Sequence, residues 1–359
     1  MRNMKRYFRT IKATAALLMS MILFAFTALS VTGCGREAVE SSPQQVGEEE
    51  NAEIQIGIAF DSFLIERWER DRDIFVSRAR DLGASVNVQN ANGDVEKQKD
   101  QIKYLIDKKM DVIVVVAVDS AAVAKEVTEA RNAGIKVVAY DRLVTDVPLD
   151  LYISFDNEMV GKFMADAIID KLPNGGNVMK INGPSKDHNV ALVNQGFDQE
   201  IRGKGITVFD TYYATEWKGE EAFNYLSEHK DKADRADAVM CGNDSLAGQA
   251  VRYYAERRRA GRIPIVGQDA DLDACQRVVE GTQTMTVYKG IDKLAKQAAE
   301  ASVALAKGNS VTGAVEIDNG GYKVPYLSIA PVMVTKENMD SIIIDGGFHM
   351  REDVYLKER

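Results

Sequence analysis

The run Val112-Ile113-Val114-Val115-Val116 holds only β-branched apolar residues, and it restricts the fold more than any other stretch of the chain. A strand with one face in water alternates apolar and polar side chains. A run without alternation is covered on both faces, as in the middle of a parallel sheet. Around it the same rhythm repeats. Short apolar segments at 54–60, 85–89, 111–117, 135–140 and 151–154 alternate with amphipathic stretches at 65–82, 95–109 and 120–133, two of which stop at Leu82-Gly83 and Ala133-Gly134. Alternation of this kind predicts an α/β fold with a doubly wound parallel sheet.

A second series follows. Strands are expected at 178–181, 206–211, 238–241, 264–267 and 284–287, with helices at about 157–171, 189–203, 218–231, 244–258 and 271–280. Two doubly wound lobes account for a body of this length better than one. Ligands of open α/β sheets bind beyond the carboxyl ends of the strands, so two lobes facing each other place a site in the cleft between them.

Polar residues recur just after these strands. Asp141-Arg142 follows 135–140, Asn243-Asp244 follows 238–241, Gln268-Asp269 follows 264–267, and Lys289 follows the strand ending near Tyr288; Glu66, Arg67 and Trp68 come soon after the first strand. Arg67, Asp141, Arg142, Asn189, Asn243, Asp269 and Lys289, with Trp68 and Trp217, suit a sugar: carboxylates accept from hydroxyls, cations donate, amides do both, and indoles cover flat C–H faces. Each residue also has a plainer explanation. Asn243, Asp244 or Ser245 can cap the next helix, Asp141-Arg142 can be a solvated turn, and Trp68 can belong to the core. The basic cluster Arg257, Arg258, Arg259 and Arg262 suits a solvated helix C-terminus, and His188 is either a ligand contact or a helix-start residue.

The chain's beginning carries a different message. Arg2, Lys5, Arg6, Arg9 and Lys12 precede a nearly uninterrupted apolar or small stretch that ends in Val31-Thr32-Gly33-Cys34. This has the layout of a secretory signal, and the small residues before the cysteine resemble the lipobox of bacterial lipoproteins, in which that cysteine is acylated. An uncleaved transmembrane helix is the alternative. Residues 1–33 are read as a lipoprotein signal peptide with lipidation at Cys34, and 34–52, rich in Glu, Ser, Gln and Gly, as a disordered tether.

Cleavage there removes five basic residues and no acid, leaving 40 Lys and Arg against 54 Asp and Glu, net −14. Nucleic acid is an unsuitable partner for such a body. Phosphate-binding signatures of the G-x-G-x-x-G and G-x-x-x-x-G-K-[ST] types are missing, as is a G-x-S-x-G elbow. His188, His229 and His349 lack metal-ligand spacing, so neither a metal nor a cofactor is expected. Cys241 and Cys275 are read as buried thiols in preference to a disulfide.

Several segments together resemble the xylose-binding proteins of bacterial ABC transporters, within the type I periplasmic sugar-binding family. They are Leu64-Ile65-Glu66-Arg67-Trp68 through Arg72-Asp73-Ile74-Phe75, Val88-Gln89-Asn90-Ala91-Asn92-Gly93, Ala139-Tyr140-Asp141-Arg142, Tyr152-Ile153-Ser154-Phe155-Asp156-Asn157-Glu158, Gly267-Gln268-Asp269-Ala270-Asp271-Leu272, and Gly281 through Lys289. The resemblance implies two lobes joined by a hinge, the N-terminal one from 53–157 and 289–320, the C-terminal one from 158–288 and 321–359, with crossings near Asp156, Tyr288 and about Tyr322. It implies that Arg67, Trp68, Asp141 and Arg142 contact a monosaccharide from the first lobe and Asn189, Trp217, Asn243, Asp269 and Lys289 from the second. Within Lys186-Asp187-His188-Asn189 the sequence departs from the family, which usually has Asn in place of His188.

The function so implied is a lipid-anchored extracytoplasmic receptor that closes on a pentose, D-xylose foremost, and delivers it to an ABC permease. The alternative is an extracellular sensor subunit docking on a membrane histidine kinase. An enzyme is not expected. A glycosidase needs two carboxylates flanking the scissile bond, and even with Asp141 and Asp269 facing each other across the cleft, Arg142 and Lys289 read as charge-paired binding groups.

Overall fold

The computed structural model describes residues 53–64 and 67–356. The signal peptide, Cys34, the tether, and Ile65 and Glu66 lie outside the described residues.

Seven strands form the first sheet, in the order β11-β12-β5-β4-β3-β1-β2: β1 (Ile54–Phe60), β2 (Ala84–Asn90), β3 (Val112–Val115), β4 (Lys136–Tyr140), β5 (Leu151–Phe155), β11 (Val315–Asp318) and β12 (Lys323–Ile329). All neighbours run parallel except the β11–β12 pair. The run at 112–116 behaves as its lack of polar residues requires. Val112, Val114 and Val116 join a core with Phe75 and Ala79 of α1 (Arg67–Asp81) and Leu294, Ala298 and Ala299 of α10 (Ile291–Ala306). Ile113 and Val115 join the opposite core with Ile102 and Leu105 of α2 (Val95–Asp107) and Val127 and Ala130 of α3 (Ala124–Asn132).

The second sheet is β7-β6-β8-β9, all parallel: β6 (Gly176–Asn182), β7 (Ile206–Tyr213), β8 (Ala238–Cys241) and β9 (Ile265–Val266). A parallel bridge from Val266 to Met285 continues it toward β10 (Thr286–Tyr288), which pairs antiparallel with β13 (Val332–Val334). One face buries Val178, Ala238 and Met240 against Val160, Met164 and Ile168 of α4 (Asn157–Lys171) and Val193 and Phe197 of α5 (His188–Glu200). The other buries Met179, Ile181 and Cys241 against α6 (Gly219–Glu228) and α8 (Asp244–Glu256). Between these two helices lies the short α7 (Lys230–Arg235), so the single helix expected at 218–231 is broken at His229. α9 (Leu272–Glu280) and α11 (Arg351–Val354) complete the set.

Helices α4 and α5 approach so closely that only glycine fits at their crossing. A Cβ on Gly161 would lie 1.9 Å from the carbonyl oxygen of Val193, and one on Gly196 would lie 2.0 Å from that of Glu158. This contact fixes α5, whose first turn carries Asn189, against α4, which leads directly from β5 of the other sheet.

The chain passes between the sheets after β5, after β10 and after β12. The last of these corrects the sequence reading, which gave 321–359 to the second lobe with a crossing near Tyr322. Tyr326 to Ile329 pair with Tyr152 to Phe155, so the strand belongs to the first sheet and the crossing falls between Ile329 and Val332. An edge-region strand shows its apolar pattern in the sequence, whereas its pairing partner is chosen by the tertiary fold. Cys241 and Cys275 are both free and buried, as the composition suggested.

Candidate functional site

Loops from both sheets converge on one narrow cavity. It is lined by Arg67, Trp68, Asp141, Arg142, Asn189, Trp217, Asp269 and Lys289, together with Asp187 and Gln268. Eight of the nine side chains expected in the site therefore meet here, and Asn243 stands apart. Its Oδ1 accepts from the Leu246 N–H at 3.0 Å as the N-cap of α8, its buried Nδ2 has no hydrogen-bond partner among the described residues, and the residue lines a neighbouring recess with Trp217 and Asp271. The capping explanation thus holds for its oxygen.

The backbone at this site is unusual. Asp141, Trp217 and Asp269 have φ of 62°, 59° and 104°, the left-handed region that side chains with a Cβ avoid. Such strain persists only where the surroundings enforce it, and it gathers at ligand clamps and active sites.

Each arginine is held between two carboxylates. Arg67, at the start of α1, bonds Asp71 through Nε and Nη2 at 3.0 and 3.2 Å and meets Asp141 at 2.9 Å. Asp71 is itself gripped by the Tyr140 hydroxyl. Arg142 pairs with Asp61, donates to the Ala117 carbonyl at 3.2 Å, and reaches Asp187 at 2.9 Å. The Trp68 indole lies between the two guanidiniums, 4.4 Å from Arg67 and 5.7 Å from Arg142. Lys289 pairs with Asp269 at 2.7 Å.

Burial pushes the Asp141 carboxyl up, but Arg67 first, then Lys289 and Arg142, outweigh it and hold the group below the ordinary carboxylate range. Asp141 is therefore an anion at neutral pH, able to accept from hydroxyls and unable to donate.

Several contacts tie the first-sheet side of the cavity to the second. Asn189 donates from Nδ2 to the Asp141 carbonyl and carboxylate at 3.1 and 3.0 Å, and its Oδ1 accepts from Asn157 at 3.0 Å. Arg142 and Asp187 form the second contact. The backbone N–H of His188 donates to Ser120 Oγ at 3.3 Å, so His188 joins through its main chain and its ring is not part of the lining.

Trp217 depends on two glycines. A Cβ on Gly183 would lie 2.4 Å from the indole and one on Gly242 would lie 3.2 Å from it, so the ring rests on bare backbone. Its Nε1, with Trp68 Nε1 and Gln268 Oε1, is buried without a hydrogen-bond partner among the described residues, while Asp141 Oδ2 and Asp269 Oδ1 are held only by their ion pairs with Arg67 and Lys289. Buried polar atoms are nearly always satisfied in native proteins, so this concentration along one cavity marks a place built for a polar guest.

Asp244 sits behind the second-sheet half of the site. Its carboxylate accepts from Gln283 at 2.8 Å, Thr286 at 2.6 Å and the Asp271 N–H at 3.2 Å, and its own N–H donates to the Gln268 carbonyl at 2.9 Å. It thereby ties the loops after β8 and β9 to β10. Burial, opposed by Arg277 and the Thr286 bond, raises its pKa to about 7.

Asp61, Asp71, Asp187 and Gln268 were not among the expected site residues. Asp61 follows β1 as the strand-end rule demands, and Asp71 is one helical turn from Arg67, so the signals were present. The Arg257–Arg262 cluster stays at the C-terminal end of α8, where Arg257 caps the Tyr253 carbonyl at 3.0 Å and stacks on the Tyr253 ring. Among the described residues no group of His, Cys, Asp and Glu is placed to hold a metal ion.

Comparison with known proteins agrees with this geometry. Residues 56–310 match the model of the periplasmic binding protein domain. The chain is 40% identical over 311 residues to the D-xylose-binding periplasmic protein of Haemophilus influenzae, spanning 84% of this chain and 92% of that one. It is 39% identical over 311 residues to the D-xylose-binding periplasmic protein of Escherichia coli, spanning 84% and 93%. An ABC transporter solute binding protein from Clostridium phytofermentans, solved with bound β-D-glucose, superposes with a TM-score of 0.76 at 26% identity, covering 84% of this chain and 99% of that one. With the fold, the converging strand ends and these relatives in agreement, the chain belongs to the periplasmic binding protein family, whose members here are solute receptors and not enzymes.

Proposed function

We propose that this protein is a lipid-anchored extracytoplasmic receptor that closes on a pentose, D-xylose foremost, and hands it to an ABC permease. The observation that carries the reading is the cavity itself: two indoles, three cations and several carboxylates supplied by both sheets, with both indole N–H groups and the Gln268 side-chain oxygen unpartnered among the described residues.

Charge narrows the ligand class. Asp61, Asp71, Asp141, Asp187 and Asp269 outnumber Arg67, Arg142 and Lys289 around the cavity. An anionic ligand would add to this excess at low dielectric and be disfavoured, whereas a neutral polyol can insert hydroxyls between paired charges, donating to carboxylates and accepting from cations. The rings of Trp68 and Trp217 complement its C–H faces. The relatives at 40% and 39% identity are named for D-xylose.

In its present packing the cavity is about 30 Å³, room for a water or two and not for a sugar ring. The sugar therefore enters with the sheets apart, and its hydroxyls take up atoms that otherwise pair across the cleft. The ligand favours the closed form through contacts available only there, and a permease that recognises that form receives loaded receptor. Lipidation at Cys34 would keep the body beside its membrane partner.

Titration calorimetry with D-xylose, L-arabinose, D-ribose and D-glucose tests the ligand, with D-xylose expected to bind tightest; no heat with any of them sinks the reading. Uptake of labelled xylose in a strain lacking the gene tests delivery. Undiminished uptake would transfer the role to sensing through a membrane kinase.

A further inference from the structure

A second, larger cavity of about 490 Å³ adjoins the narrow one, and Arg142, Asp187 and Trp217 line both. Loops of both sheets wall the outer cavity, with Phe63 and Asn92 on the first-sheet side and Lys186 on the second. Its volume falls in the range of ligand pockets, which run from about 300 to 1,000 Å³. Once the sheets part to admit a monosaccharide, the side chains lining the inner cavity suffice to surround it, so the outer one needs its own explanation.

We propose that the outer cavity is a second sugar subsite, so that the receptor also accepts a disaccharide whose inner ring fills the narrow cavity, opened to admit it, and whose outer ring lies in the larger one. This rests on the pentose reading above and extends it to the ligand's length. Phe63 and Trp217 give the outer cavity two aromatic rings, the chemistry that covers pyranose C–H faces. Asn92 and Lys186 are exposed at its wall and free to meet hydroxyls, an amide that both donates and accepts and an ammonium that donates. The charge is mixed, Lys186 and Lys218 against Asp61, Asp187 and Glu216, which again suits a neutral ligand. Trp217, lining both spaces from its glycine bed, is placed to contact both rings.

Titration calorimetry with D-xylose and β-1,4-xylobiose tests this on the wild-type protein and on Phe63→Leu, Asn92→Gly and Lys186→Ala, none of which touches the inner cavity. Asn92 has a φ of 55°, so glycine replaces it without backbone strain. Xylobiose is expected to bind wild type, and Phe63→Leu and Asn92→Gly are each expected to weaken it about two- to tenfold while leaving xylose unchanged. Binding of xylose without xylobiose overturns the subsite and leaves the pentose reading standing. Xylobiose binding that none of the three variants alters also overturns it. If neither sugar binds, both proposals fall together. Phe63 packs partly against the first core, so the exposed positions Asn92 and Lys186 decide the matter if its variant folds poorly.

Discussion

Arg142 and Asp187 meet at 2.9 Å across the cleft, one following β4 of the first sheet and the other preceding α5 beneath the second. Both side chains are at most 5% exposed. A buried pair with one partner removed leaves an uncompensated charge, a loss of about 3 to 5 kcal/mol where the site cannot relax. Opening the cleft supplies that relaxation here, since Arg142 keeps Asp61 and regains water.

Replacing Asp187 by Ala is therefore expected to shift the unliganded protein toward the open form more than it lowers folding stability. Small-angle scattering should report a larger radius of gyration for Asp187→Ala than for wild type. Equal radii together with unchanged sugar affinity would show that the pair does not hold the cleft.

Asp141 is the buried acceptor shared by Arg67 and Asn189. Asp141→Ala removes a charged acceptor and strands both partners, so sugar binding should weaken by about 1.5 to 3 kcal/mol, or roughly ten- to 150-fold in Kd. Calorimetry giving the wild-type affinity would remove Asp141 from the site.

Gly183→Ala places a methyl group 2.4 Å from the Trp217 indole and forces the ring outward. Loss of a well-placed aromatic face should cost about 0.5 to 1.5 kcal/mol of binding. The diagnostic readout is Trp217 fluorescence, measured with Trp68→Phe in both proteins: the ligand-induced change should shrink in Gly183→Ala. A normal change with normal affinity would mean that the ring does not depend on its glycine bed.

Asp244 gives a pH dependence of definite sign. Its pKa rises from about 3.9 in the unfolded chain to about 7 in the folded one. Between those values the native state keeps a proton that the unfolded state has lost, so its contribution to stability falls as pH rises from about 4 to about 7 and is level above that. Urea denaturation across this window should show a more favourable slope with pH for Asp244→Asn than for wild type. Parallel curves would mean that Asp244 titrates normally.

The parts of this protein that could be read from sequence share a physical character. The 112–116 run, the strand-end position of Asp141 and the helix stop at Gly83 are local signals, visible within a few residues. The membership of β12 was not, because nothing in 323–329 says which strand it will meet. Asn243 was legible as a cap and as a polar group near the ligand, and the fold uses its oxygen for the first. Asp187 escaped notice because its partner Arg142 lies 45 positions earlier and on the other sheet. The φ values at Trp217 and Asp269 were equally hidden, since no sequence pattern announces a non-glycine residue held left-handed.

The late crossing after β12 also governs how the molecule can be born. The first sheet holds β1 at 54 and β12 at 323–329, with the whole second sheet inserted between them in the chain. Its seven strands cannot be assembled until nearly all the polypeptide is available, and contacts so distant in sequence form slowly. A chain that delays its own folding in this way keeps its early strands unpaired and threadable until its C-terminal part has been made.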